Sequence, residues 1–130
     1  MSGRILIVDD DLHVRCCVQT VLRRYGFEVC CAADGDEARL LIQQQRPDLI
    51  ITDLAMPRLN GWELAARLQG NTATADIPII AISGRDVSSW RDTLETRAEI
   101  GVCLSKPFSF RRLAELCKQM LESNPGPTTA

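Results

Sequence analysis

The sequence predicts an α/β domain built on a parallel sheet with helices packed against it, and three observations carry that prediction. Short apolar runs, partly β-branched, alternate with longer stretches whose apolar residues recur at helical spacing. The runs Arg4–Val8, from Ile5 onward, and Leu49, Ile50 and Ile51 are apolar at consecutive positions, as strands buried on both faces require. Each run then stops at polar groups: Asp9-Asp10 after the first, and Thr52-Asp53 after the second. Strands of a parallel sheet point their carboxyl ends at one edge, so these polar ends are expected to meet there.

Taken in order, the first strand is followed by a helix in which Val14, Cys17, Val18, Val21, Leu22 and Tyr25 form the apolar stripe. Arg15, Gln19 and Arg23 fall on its other face. Asp11 can cap this helix and Gly26 can close it in the left-handed conformation. Residues 27–33 predict a second strand, ended by Asp34-Gly35. Ala38, Leu41 and Ile42 mark a second helix, terminated by Pro47. After the Asp53 strand, Trp62, Leu64, Ala65 and Leu68 space a short third helix, and residues 70–76 form a polar loop. Residues 77–82 predict a fourth strand with Pro78 near its start, where a missing N–H is tolerated; it ends at Ser83-Gly84. Val87, Trp90, Leu94 and Ala98 space a fourth helix. A short fifth strand, Val102-Cys103-Leu104, ends at Ser105-Lys106-Pro107. Phe110, Leu113, Cys117, Met120 and Leu121 are the stripe of a fifth helix.

With 130 residues the chain fits one domain, expected over 1–122, with 123–130 as a flexible tail or linker stub holding two prolines and a glycine. Apolar content of 45% and charged content of 25% are ordinary for a globular protein. The formal charge of −2 gives no reason to expect direct contact with nucleic acid or an anionic membrane. No apolar run reaches membrane-spanning length and no signal-peptide pattern opens the chain, so a cytoplasmic location is expected. The six cysteines form no C-x-x-C, and the single histidine, His13, completes no familiar zinc set. Reduced, mostly buried thiols are the expectation. No G-x-G-x-x-G follows the first strand and no G-x-x-x-x-G-K occurs, which argues against a dinucleotide or nucleoside triphosphate.

The predicted edge collects Asp9 and Asp10, Asp53, Ser83 and Lys106. Two carboxylates about 4 Å apart repel by about 4 kcal/mol at an effective dielectric near 20. A raised pKa, Lys106 or a bound cation must offset that, and carboxylate oxygens suit Mg²⁺. With a cation in place the edge is arranged for a multi-oxygen anion such as a phosphoryl group. Lys106 and the Ser83 hydroxyl are further partners for its oxygens. Asp53, at the end of the central strand, can serve as the nucleophile.

Several short motifs in fixed order complete the pattern: Asp9-Asp10 after Val8, Ala33-Asp34-Gly35, Thr52 to Pro57 around Asp53, Asn60-Gly61-Trp62-Glu63-Leu64, Ser83-Gly84 and Lys106-Pro107-Phe108. Together they resemble the receiver domain of response regulators, the phosphoacceptor module of two-component signalling. The resemblance implies a flavodoxin-like, doubly wound five-stranded sheet in the order 2-1-3-4-5 with five helices, an arrangement for which a receiver is itself a standard example. It implies Asp53 as phosphoacceptor, with Asp10, Asp53 and the Ala55 backbone carbonyl as direct Mg²⁺ ligands and Asp9 acting through water. Ser83 would sense the phosphoryl group and Lys106 would pair with it.

By the same resemblance, the phosphodonor would be a sensor histidine kinase or a histidine phosphotransfer protein. The downstream effector and the oligomeric state are unspecified; a homodimer, where one forms, would use the fourth helix, fifth strand and fifth helix. Such a domain is not a conventional enzyme, since it catalyses only its own phosphorylation and dephosphorylation. Two departures stand out: Cys103 occupies the place of an aromatic switch residue, and Ala55 is small and apolar. Two other readings are weaker. An interaction-only pseudo-receiver commonly lacks the aspartates or the lysine, which this chain keeps. A haloacid-dehalogenase-type phosphatase needs an acid two residues after the nucleophile, where Ala55 stands.

Overall fold

Each apolar run becomes a strand, and the polar residue that ends it lies at one edge of the sheet. A computed structural model of the chain describes residues 3–53, 67–68, 70–83, 102–105 and 109–123, with backbone alone at 83, 102–105 and 123. The strands are β1 (Arg4–Val8), β2 (Glu28–Ala32), β3 (Leu49–Asp53), β4 (Ile79–Ser83) and β5 (Val102–Ser105). They form one sheet in the order β2-β1-β3-β4-β5, every pairing parallel. The order reverses between β1 and β3, which is where open α/β sheets leave a crevice at their carboxyl edge. The described helices are α1 (Leu12–Arg24), α2 (Gly35–Gln44) and α3 (Phe110–Ser123). The helix predicted around residues 62–68 falls within the described residues only at Arg67 and Leu68, and the one at 87–98 lies outside them.

The local chemistry at each helix end explains where it starts and stops. Asp11 caps α1, its carboxylate accepting the His13 N–H at 2.9 Å. At the other end Gly26 adopts φ 94°. The Gly26 N–H donates to the Arg23 carbonyl at 3.0 Å, and the Phe27 N–H to the Leu22 carbonyl at 3.2 Å. This is the Schellman arrangement, and Phe27 and Leu22 accompany it in the same buried cluster. That use of Phe27 is why β2 begins at Glu28, one residue later than its composition predicts. Asp34 caps α2, accepting the Glu37 N–H at 2.8 Å, while the Glu37 carboxylate reaches back to the Ala33 N–H at 3.2 Å. The two carboxylates satisfy donors at the helix entry that would otherwise lack partners.

Alternation along the strands sorts their side chains between two cores. Ile5, Ile7, Ile51, Ile80 and Ile82 face α1 and α3, packing with Val18, Leu22, Leu113 and Cys117. Leu6, Val8, Ile50 and Ala81 face the opposite side, packing with Ala38 and Ile42 of α2 and with Leu68. All five residues of β3 are buried. Each large aliphatic side chain so placed contributes roughly 1.5–3 kcal/mol relative to exposure, which is what holds the strand-end aspartates in register.

Two expectations require correction. Of the five cysteines whose side chains are described, only Cys117 is buried; Cys17, Cys30 and Cys31 are half-buried and Cys16 is exposed. All five are free thiols, but β2 is an edge strand and Cys16 sits on the outer surface of α1, so neither element can enclose its cysteines fully. The second correction is small: α3 runs through Ser123, one residue into the segment read as tail.

Candidate functional site

The register of the central strands places the acidic residues side by side. Val8 pairs with Thr52 across β1 and β3, so the next residues, Asp9 and Asp53, stand side by side at the strand ends. Asp53 in turn pairs with Ile82 of β4. One carboxylate oxygen from each of Asp9, Asp10 and Asp53 lies within 4.8 Å of the others. Asp9 is fully buried, Asp53 is 6% exposed, and Asp10 is open to solvent.

This is a concentration of negative charge partly removed from water, and the surrounding backbone holds it there. The Asp9 N–H donates to the Ala32 carbonyl at 3.1 Å, extending the β1–β2 pairing by one residue. The Asp9 carboxylate accepts the Asp11 N–H at 2.9 Å, which fixes the turn into α1. The Thr52 hydroxyl, buried, donates to the Asp53 carbonyl at 3.1 Å. Three carboxylates converging on one point, two of them shielded and one solvated, are a donor set for a hard cation that keeps part of its water shell. The cluster therefore fits a bound divalent metal.

Sequence reasoning missed one contributor. Arg15 was expected on the solvent face of α1, yet its guanidinium turns back and donates to the Asp9 carbonyl at 2.6 Å. It binds the strand end to the first turn of the helix and brings positive charge near the acidic cluster. Its position one turn after the Asp11 cap was the available signal.

The other predicted residues divide according to what is described. Ser83 ends β4, one step beyond the residue paired with Asp53, and its backbone pairs with Ser105 of β5. Ser83 is thus on the same edge as Asp53. Ala55 and Lys106 lie outside the described residues, although Lys106 directly follows the last residue of β5. Cys103 pairs with Ala81 in the middle of β5. His13 is exposed in the first turn of α1, with its Nε2 3.7 Å from the Cys17 Sγ. Among the thiols, burial pushes Cys117 up to about 12 and also raises Cys31. Neither is poised as a nucleophile at neutral pH.

Sheet order and acidic edge together define a doubly wound α/β domain with a cluster of three carboxylates at its switch point. Within that class the particular family is identified by comparison. The sequence profile of the response regulator receiver domain matches residues 5–118, and the chain belongs to that family. It is 38% identical over 122 residues to the response regulator MprA of Mycobacterium tuberculosis, covering 93% of this chain and 51% of MprA. It is 35% identical over 134 aligned residues to the phosphate regulon transcriptional regulatory protein PhoB of Pseudomonas aeruginosa, covering 100% of this chain and 57% of PhoB. Among solved structures, it is similar to the signal receiver domain of a signal transduction histidine kinase from Syntrophus aciditrophicus. That match has 29% identity and a TM-score of 0.85, and covers 98% of this chain and 96% of the other. The chain spans about half the length of the curated relatives it matches. Among the described residues, no helix is long and apolar enough to cross a membrane.

Proposed function

We propose that this receiver domain accepts a phosphoryl group on Asp53 and is switched by it. The carrying observation is the approach of the Asp9, Asp10 and Asp53 carboxylates to within 4.8 Å at the end of the central strand. Asp53 is the member that ends β3, paired with the buried Ile82 of β4 and following the buried Thr52. A carboxylate oxygen there attacks phosphorus; the new O–P bond forms as the P–N bond to a donor imidazole breaks, and the imidazole takes up a proton. Asp9, Asp10 and Asp53, with the Ala55 carbonyl, are the residues that would hold Mg²⁺. When bound, the ion supplies charge neutralisation to the phosphoryl oxygens. Asp9 and Arg15 keep the acidic pair seated, Ser83 offers a hydroxyl to a phosphoryl oxygen, and Lys106 offers a counter-charge.

The domain on this reading acts only on itself, spanning residues 1–122, with a histidine kinase or histidine phosphotransfer protein as donor. PhoB is named a transcriptional regulatory protein. A similar output here would be carried by a region other than this acidic domain, which itself makes no contact with nucleic acid. The test is phosphorylation with Mg²⁺ and acetyl phosphate or a cognate kinase, followed by mapping of the base-labile label. Label is expected on Asp53 and absent from Asp53→Asn; uptake by the variant at the normal rate would refute the assignment.

A further inference from the structure

Two side chains outside the acidic edge are chemically matched and play no part in phosphoryl transfer. His13 and Cys17 stand four residues apart on α1, where side chains share a face. The Cys17 Sγ lies 3.7 Å from the His13 Nε2. A tetrahedral zinc centre, with Zn–S about 2.3 Å and Zn–N about 2.0–2.1 Å, separates its sulfur and nitrogen by about 3.6 Å. The pair is therefore already at the separation of two ligands of one zinc ion. Thiolate and imidazole favour zinc, whereas the carboxylates at the strand ends favour magnesium.

One chain supplies only half of such a site. Among the described residues, the single group of three or more close His, Cys, Asp or Glu side chains is Asp9, Asp10 and Asp53. No third ligand of these types joins His13 and Cys17 there, and structural zinc takes four. His13 is exposed and Cys17 half-buried, so both can be reached from outside. Their surroundings suit another copy of the same surface. Leu12 is 64% exposed, Cys16 and Thr20 are exposed, and the one formal charge between residues 12 and 20, Arg15, is turned to Asp9. Two such faces can meet with the α1 helices antiparallel about a two-fold axis, which sets the exposed Asp10 and Asp11 of one copy apart from those of the other while each presents the same pair of ligands.

We propose that His13 and Cys17 form half of a zinc site, completed by the same two residues of a second copy to give a Cys₂His₂ centre bridging a symmetric dimer. Binding forms two Zn–S and two Zn–N bonds and releases the two thiol protons to solvent, with no change of oxidation state. The test is a Zn²⁺ titration of the chain in a phosphine reductant, with excess Mg²⁺ to occupy the carboxylates, read by calorimetry and sedimentation. One zinc per two chains and a doubling of mass are expected, and Co²⁺ in place of zinc should give a sulfur-to-metal charge-transfer band. His13→Ala and Cys17→Ser should each lose the dimer and Cys17→Ser the band, while Cys16→Ser and Asp10→Ala keep both. Zinc bound one per chain without dimerisation overturns the bridge. Undiminished uptake by both ligand variants, or no uptake by the native chain, overturns the site.

Discussion

Replacing Asp53 with asparagine should make the metal-free domain more stable, because it removes one of three clustered charges while keeping nearly the same shape. At the 4.8 Å limit that bounds the cluster, each carboxylate pair repels by about 3.5 kcal/mol at an effective dielectric near 20. Asp10 is exposed, so water screens its share strongly. The Asp11 N–H on Asp9, and the other polar contacts of Asp9 and Asp53, offset part of the rest. A net gain of about 1–2 kcal/mol remains, or a rise in Tm of about 3–8 °C for a domain of this size. Bound Mg²⁺ should reverse the order, since a ligand at 100 times its Kd stabilises the native state by about 2.7 kcal/mol, and the variant has lost a ligand. Urea and thermal unfolding of both proteins in EDTA and in Mg²⁺ decide the matter. The reasoning fails if Asp53→Asn is less stable than the native chain in EDTA, or if Mg²⁺ stabilises both by the same amount.

Two further outcomes follow from the same structure. Asp10→Ala should leave the fold intact and weaken Mg²⁺ binding by about tenfold, or about 1.4 kcal/mol; calorimetric titration showing unchanged affinity would count against the metal site. Cys117 should be alkylated only on unfolding, and it should make stability fall in alkali. Its native thiol is raised from 9.0 to about 12, so above pH 9 the unfolded chain releases a proton that the native chain retains. The contribution is complete below that value and lost progressively as pH rises toward 12. Cys117→Ala should flatten the slope of stability between about pH 9 and 11, and an unchanged slope would place the effect elsewhere.

Much of the fold was legible in the sequence because its signals are local. Consecutive apolar residues in β1 and β3 announced strands covered on both sides, and the buried pattern of β3 agrees. Asp11 and Gly26 marked the ends of α1 through backbone chemistry that needs no distant partner. The acidic edge was legible too, since parallel strands that each end in a carboxylate leave those groups together whatever the loops do. Other features depended on where each element sits in the sheet. Cys30 and Cys31 belong to an apolar stretch, yet they are half-buried because β2 is an edge strand. Arg15 reads as a solvent-facing helix residue, and only the packing of α1 over the end of β1 turns it toward Asp9. Sequence by itself determined the described strands and helices, the two ends of α1 and the convergence of Asp9, Asp10 and Asp53. The tertiary structure decided how far each of those carboxylates is withdrawn from water and which thiols are enclosed, because burial is a property of neighbours distant in the chain.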